Sequence, residues 1–241
     1  MKLFNWTNIR LVLMFSLVIF LYSFTSHRNN NRKLTKSIVN FVGDDAPYLN
    51  QETVNKLLIE NHKDAKSIGK DKLDLNKLEK RLSLHEMIEK SDVYVSIDGV
   101  IKAVVKQKTP VARVFDGDNS FYIDYKGNSM PLSANYTARV PLVSGVINKK
   151  NSKKLAELFR IIYDDEFLKK NIIGVEIMPN GSIKMLNRNY NYQIDFGSTV
   201  RMNAKFNNYK VFFQKAVLDS SLYKYKIIDL RFAQQVICTK N

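Results

Sequence analysis

The run Leu11–Phe24 (LVLMFSLVIFLYSF) limits what this chain can be, because so long an apolar stretch must leave water. As a helix it covers about 21 Å, short of a hydrocarbon core of about 30 Å. Extension back through Ile9 to Trp6, with Arg10 reaching toward the headgroups, makes it long enough to span. Trp6 and Tyr22 then fall near the two interfaces. A cleaved signal peptide is the competing reading. Ser23 and Thr25 offer only a weak small-x-small site, crowded by Phe24 and His27, so a retained anchor is expected. Charge does not orient it: Lys2, Arg10 and the amino terminus oppose Arg28, Arg32, Lys33 and Lys36.

The net charge of +15 is unevenly placed. Six cations and no acid lie between Met1 and Lys36, and the first acid is Asp44. Cations flanking an apolar run read as attraction to anionic headgroups. Nucleic-acid binding needs a basic face with aromatic platforms, which this pattern lacks, so no nucleic-acid partner is expected. With 45% hydrophobic residues, nine glycines and five prolines, the chain can bury a core and is neither fibrous nor repetitive. Cys238 is the only cysteine, so no internal disulfide forms.

The fold expected is α+β. Residues 1–10 form a short tail, 11–24 the anchor and 25–35 a polar tether. A strand covers 36–42. Asn50 caps a helix carrying Val54, Leu57 and Leu58, with Leu49 and Val54 at staple spacing. A second helix starts at Asp74, its stripe running Leu75, Leu78, Leu82 and Ile88. Strands 93–97 and 100–107 follow, with Val93, Val95 and Ile97 on one face, joined at Asp98-Gly99 by a type I′ turn. Residues 36–109 thus read β-α-α-β-β. From 110 to 241 the pattern predicts a mostly antiparallel sheet with two packed helices. One is capped by Ser152; the other starts near Thr199 and carries Met202, Phe206, Tyr209, Phe213 and Ala216. The last element is one extended segment, Tyr225–Cys238, with Ile228, Leu230 and Phe232 on one face and Asp229 and Arg231 on the other.

Chemistry-bearing constellations are sparse. His27, His62 and His85 lack metal-ligand spacing, and Cys238 has no neighbouring base to activate it. Asp116, Asp118 and Ser120 imitate the start of a calcium loop, but Phe121 and Gly127 occupy the positions that need Gly and Glu. Asp164-Asp165-Glu166 reads as a turn or helix start rather than a glycosidase pair. No catalytic residue, metal or cofactor is expected. An anchored enzyme on cell-wall polymers is the alternative.

The organisation resembles the bacterial cell-division family FtsQ/DivIB. Lys36–Thr109 resembles a POTRA domain, followed by Thr109-Pro110-Val111-Ala112-Arg113. Phe121-Tyr122-Ile123-Asp124 with Gly127 is similar to that family's hairpin, and Pro141-Leu142-Val143-Ser144-Gly145 to its "lPlvxG" stretch. Ile228-Asp229-Leu230-Arg231-Phe232 resembles its "iDLRY", with Phe232 in place of the Tyr. The resemblance implies a non-enzymatic inner-membrane scaffold with its N-terminus cytoplasmic and its body periplasmic, at the division septum. It implies FtsB- or DivIC-like and FtsL-like coiled-coil membrane partners, together with other divisome proteins. The implied contact residues lie in a C-terminal strand: Asp229, Arg231, Phe232, Ala233, Gln234, Gln235 and Val236.

Overall fold

The computed structural model describes residues 6–30, 34–43, 47–59, 73–117, 119–145, 147–148, 151–232 and 234–241. The chain is α+β: an apolar N-terminal helix and two compact units, residues 1–45 with 49–107, and residues 46–48 with 108–241.

Helix α1 (Trp6–Asn30) is longer than its apolar run. Trp6–Arg28 is long and apolar enough to cross a membrane, and none of that stretch is buried against the protein. The polar residues expected to start a tether at Thr25 instead continue the helix to Asn30. No Gly or Pro interrupts them, so backbone bonding propagates past the last apolar side chain.

The first unit holds β1 (Lys36–Val42), α2 (Gln51–Ile59), α3 (Leu75–Ser83), β2 (Ile88–Val95) and β3 (Val100–Gln107). The sheet order is β1-β3-β2, with β1 parallel and β2 antiparallel to β3. Both helix starts are capped as the residues dictate. Asn50 Oδ1 accepts from Thr53 N–H at 2.7 Å, and Asp74 Oδ1 from Lys77 N–H at 3.0 Å. Val54, Leu58, Leu78 and Leu82 are buried, as are Val39, Val93, Ile101, Ala103 and Val105 of the sheet, with α2 packed on β1 and α3 on β2.

Two local expectations fail here. Ile88 does not extend the α3 stripe but opens β2, because a turn over His85–Met87 intervenes. There Ile88 N–H donates to His85 O, and His85 Nδ1 accepts from Met87 N–H. The β2–β3 turn is not type I′: only Gly99 (φ +78°) is left-handed, and Gly99 N–H donates to Ser96 O at 3.1 Å. The connection Ser96–Gly99 places Ile97 at the turn, 77% exposed, rather than inward with Val93.

The second unit is a nine-stranded sheet carrying helices. Its strands are β4 (Pro110–Asp116), β5 (Asn119–Asp124), β6 (Ser129–Met130), β7 (Leu142–Gly145), β8 (Ile172–Ile177), β9 (Ile183–Asn187), β10 (Gln193–Gly197), β11 (Tyr225–Asp229) and β12 (Ile237–Lys240). Their order is β12-β11-β10-β9-β8-β7-β4-β5-β6, mostly antiparallel, with parallel pairs at β10/β11, β7/β8 and β4/β7. Register aligns Val114, Val143, Val175, Met185, Ile194 and Ile228 in one cross-strand row, and all six are buried. Helices α4 (Ser152–Asp164), α5 (Glu166–Asn171) and α6 (Met202–Leu218) add Leu155, Leu158, Phe159, Ile162, Leu168, Phe206 and Tyr209 to the same core. Ser152 makes no cap; Asn151 stands at that position, also without a side-chain cap bond. Helix α5 was not anticipated as a separate element, and α6 starts at Met202 after Arg201 in left-handed backbone (φ +53°).

The C-terminal segment is not one strand. β11 ends at Asp229, although Leu230 N–H still donates to Asp195 O of β10 at 2.9 Å. Residues 231–232 and 234–236 pair with no described strand, and β12 folds back antiparallel on β11. The break has a local cause. Asp229 Oδ1 accepts from Arg231 N–H at 2.9 Å, an Asx-type turn that diverts the backbone from extension.

Candidate partner-binding surface

At one end of the sheet, β12 is held only on its inner side, by Tyr225, Ile227, Ile228 and Asp229 of β11. Its outer side is paired with no described strand. A strand so placed presents backbone N–H and C=O groups to whatever can add alongside. The remaining edges of the two sheets are β6 in this unit and β1 and β2 in the first.

The turn between β11 and β12 forms one wall of an open recess of about 750 Å³, lined by Arg231, Phe232, Gln234 and Gln235. The opposite wall comes from the approach to α6 and its first turn: Ser198, Val200, Arg201 and Lys205. Lys205 sits on the buried stripe of α6 because its ammonium has acceptors there. It donates to Phe196 O at 2.9 Å and Ser198 O at 2.8 Å, which fixes the loop after β10. Burial depresses its basicity, partly offset by the carboxylate of Asp229.

The expected contact residues divide by environment. Asp229 is buried and engaged by Arg231, whose hydrogen bonds hold the carboxyl below its ordinary range against the opposing effect of burial. Arg231 keeps a half-exposed side chain, and Phe232 is 47% exposed. Gln234 and Gln235 are exposed in the recess, whereas Val236 packs against the core. Ala233 lies outside the described residues. Phe232 therefore does not share the inward face of Ile228 and Leu230, which are both buried. Sequence reasoning missed Val200, Arg201 and Lys205, which reach this surface only through the fold. The one signal was a lysine amid the apolar positions Met202, Phe206 and Tyr209.

Residues weighed for catalysis are dispersed. Asp164 accepts from the Tyr125 hydroxyl at 2.9 Å. Asp165 caps α5 and pairs with Lys210; burial raises its pKa, but Lys210 and the N–H of Leu168 hold it below the ordinary value. Glu166 pairs with Lys170 at 3.3 Å. Three adjacent acids thus serve three unrelated contacts. Cys238 faces the sheet core, where burial raises its pKa, the opposite of an activated thiol. Ser120 accepts from Arg113 Nε at 3.0 Å beside the Asp116–Gly117 turn. His62 and Asp118 lie outside the described residues. No group of three or more His, Cys, Asp and Glu among the described residues is arranged to hold a metal ion.

Comparison with known proteins matches residues 109–239, more than half of the chain, to the family model described as "FtsQ/DivIB, C-terminal related". Among solved structures, the major extracytoplasmic domain of the bacterial cell-division protein DivIB from Geobacillus stearothermophilus is similar at 11% identity with a TM-score of 0.30. That similarity covers 47% of this chain and 95% of that chain. No curated protein matches.

Proposed function

The chain belongs to the FtsQ/DivIB C-terminal-related family, and from that premise we propose that it is a non-enzymatic, single-span scaffold of the bacterial divisome. Its task in this reading is to link early and late division proteins and to recruit an FtsB- or DivIC-like and an FtsL-like partner for septal wall synthesis. The first unit, 36–109, is assigned the role of a POTRA-like recruitment module. The unit from 110 onward is assigned the partner-binding β domain. In this reading the N-terminus is cytoplasmic and the body lies on the periplasmic side of the inner membrane, at the septum.

The observation that carries this reading is the outer edge of β12, unpaired among the described strands, beside the half-exposed Phe232. Strand addition would draw affinity from main-chain bonds and specificity from Phe232, Gln234 and Gln235. The rival enzyme draws no support from the acids at 164–166, which diverge to separate partners.

Site-specific photocrosslinking in dividing cells tests the proposal. A crosslinker at Thr239, on β12, should capture an FtsB- or DivIC-like protein, and a fluorescent fusion should gather at midcell. Uniform envelope fluorescence would remove the divisome assignment. Midcell localisation with partner adducts only from positions far from β12 would keep that assignment and move the interface.

A further inference from the structure

Chain length ties one corner of the first unit to the end of α1. The helix ends at Asn30, and Leu34, only 1% exposed, is already locked into the core. Four residue steps separate them, so they lie within about 14 Å of each other even at full extension. The next residue is fixed as well. Thr35 N–H donates to Gly99 O at 2.8 Å, and its hydroxyl donates to Asp98 O at 3.3 Å. Lys36 then pairs with Val100. The Ser96–Gly99 turn is therefore clamped to the very residues that follow the anchor.

Helix geometry sets the height of that clamp above a bilayer. The apolar run stops at Phe24, so the six residues to Asn30 carry the helix about 9 Å past the hydrocarbon boundary. A headgroup layer is about 5–7 Å thick on each side. A link of at most about 14 Å lets the turn reach the headgroups when the unit tilts toward the membrane.

The turn also has the chemistry of an interfacial element. Ile97 is 77% exposed at a position where turns ordinarily carry polar residues. Tyr94, 46% exposed, stands opposite Lys102 on the neighbouring strand, and Lys36 is exposed at the start of β1. Asp98 is the acid at the tip, with its backbone carbonyl turned to Thr35. An aliphatic point flanked by a tyrosine and two ammonium groups suits the boundary between acyl chains and anionic headgroups.

We propose that the Ser96–Gly99 turn is a second membrane contact. Ile97 enters the headgroup–acyl boundary, while Tyr94, Lys36 and Lys102 meet lipid phosphates. One isoleucine would not hold a free domain on a bilayer. Here α1 supplies the effective concentration, so a weak contact suffices to set the tilt of the unit on the membrane. The inference rests on α1 being a retained span.

The test uses the full chain in nanodiscs of phosphatidylethanolamine and phosphatidylglycerol, in a Cys238→Ser background. Ile97→Cys, Tyr94→Cys and Leu84→Cys are each labelled with an environment-sensitive fluorophore, and lipids bearing a shallow nitroxide act as quencher. Leu84, 75% exposed, lies beyond the far end of β2 and reports on a water-facing site. The expected result is blue-shifted emission at Ile97 and Tyr94 that loses most of its intensity to the quencher, with Leu84 unaffected. Adding Ile97→Ser to the Tyr94-labelled chain should restore most of that emission, which guards against a fluorophore that inserts by itself. An Ile97 label indistinguishable from the Leu84 label overturns the contact and leaves the anchor standing. Release of the chain by an alkaline wash overturns the anchor and the contact with it.

Discussion

Arg231 folds back onto Asp229, its Nε 3.0 Å from both carboxylate oxygens and its Nη2 2.6 Å from Oδ2. The backbone N–H of the same arginine donates to Oδ1 at 2.9 Å. One residue thus both turns the chain out of β11 and neutralises the buried acid that makes the turn. Ion pair and strand break are a single device, and it delivers Phe232 to the surface.

That device makes a pH prediction. The folded pKa of Asp229 is depressed, first by the Arg231 side-chain bonds. Its contribution is therefore complete above the ordinary carboxylate range and is lost as pH falls through the depressed value. Urea midpoints measured from neutral pH downward should decline in that acid window. In Asp229→Asn the decline should be shallower, with a lower midpoint at neutral pH. An acid limb of unchanged slope would show that Asp229 is not the linked group.

The buried tyrosine pair should govern the stability of the second unit. The Tyr192 and Tyr209 hydroxyls lie 2.8 Å apart, and Asn187 Nδ2 donates to Tyr209 Oη at 3.0 Å. Burial pushes Tyr209 up to about 12 and Tyr192 higher still, so both hydroxyls stay neutral at physiological pH and one donates to the other. Tyr209→Phe strands two polar groups in the core and should cost about 1–3 kcal/mol. Chemical denaturation followed by near-ultraviolet circular dichroism reads this directly, and a loss below about 0.5 kcal/mol would mean the network relaxes onto water.

Gly145 and Gly181 should respond very differently to alanine. Gly145 has φ +97°, and a Cβ there would overlap the Ile177 carbonyl on the paired strand β8. Gly181 has φ +81° but open space around the same position. Gly181→Ala carries only the backbone penalty, about 1–2 kcal/mol. Gly145→Ala adds a backbone collision and should exceed that cost by at least about 1 kcal/mol or fail to fold. Equal melting shifts in the two variants would contradict the register of β7 on β8.

Phe232→Ala separates binding from folding. At 47% exposure it contributes little to the core, so thermal stability should change by less than about 0.5 kcal/mol. If Phe232 is a hot spot of the proposed strand-addition surface, affinity for the extracytoplasmic segment of an FtsB- or DivIC-like partner should fall about thirtyfold, equivalent to about 2 kcal/mol. Calorimetric titration with the purified segment measures the affinity and a thermal melt the stability; unaltered affinity with unaltered stability would place the hot spot elsewhere.

Much of this architecture was legible in the chain because its signals are local. The span announces itself by apolar length. The β-α-α-β-β order follows from two capped amphipathic helices between alternating strands, with Asn50 and Asp74 each bonding the N–H three residues on. The core row of the large sheet, Val114, Val143, Val175, Met185 and Ile194, emerged only from strand register. Errors arose where local signals were degenerate. Ile88 fits the helix stripe and the strand equally well, and only the turn at His85–Met87 decides between them. The Asp98-Gly99 pair suits two turn types, and the backbone chose the one with a single left-handed residue.

The C-terminal surface marks the boundary between what local sequence determines and what the assembled fold decides. Alternation over Tyr225–Cys238 was enough to identify strand-forming chain and to put Ile228 and Leu230 on one face. It did not reveal that Asp229 would spend its carboxylate on Arg231 two residues on and break the strand, because alternation tracks burial and does not register an Asx-type turn. Nor could it bring Arg201 and Lys205 beside Phe232, for that proximity needs β10 to lie parallel against β11 with α6 in the crossover between them. Periodicity and caps act over a few residues and are written in the chain itself. Sheet edges, recesses and ion pairs between distant segments exist only once long-range pairing has chosen which surfaces remain in water.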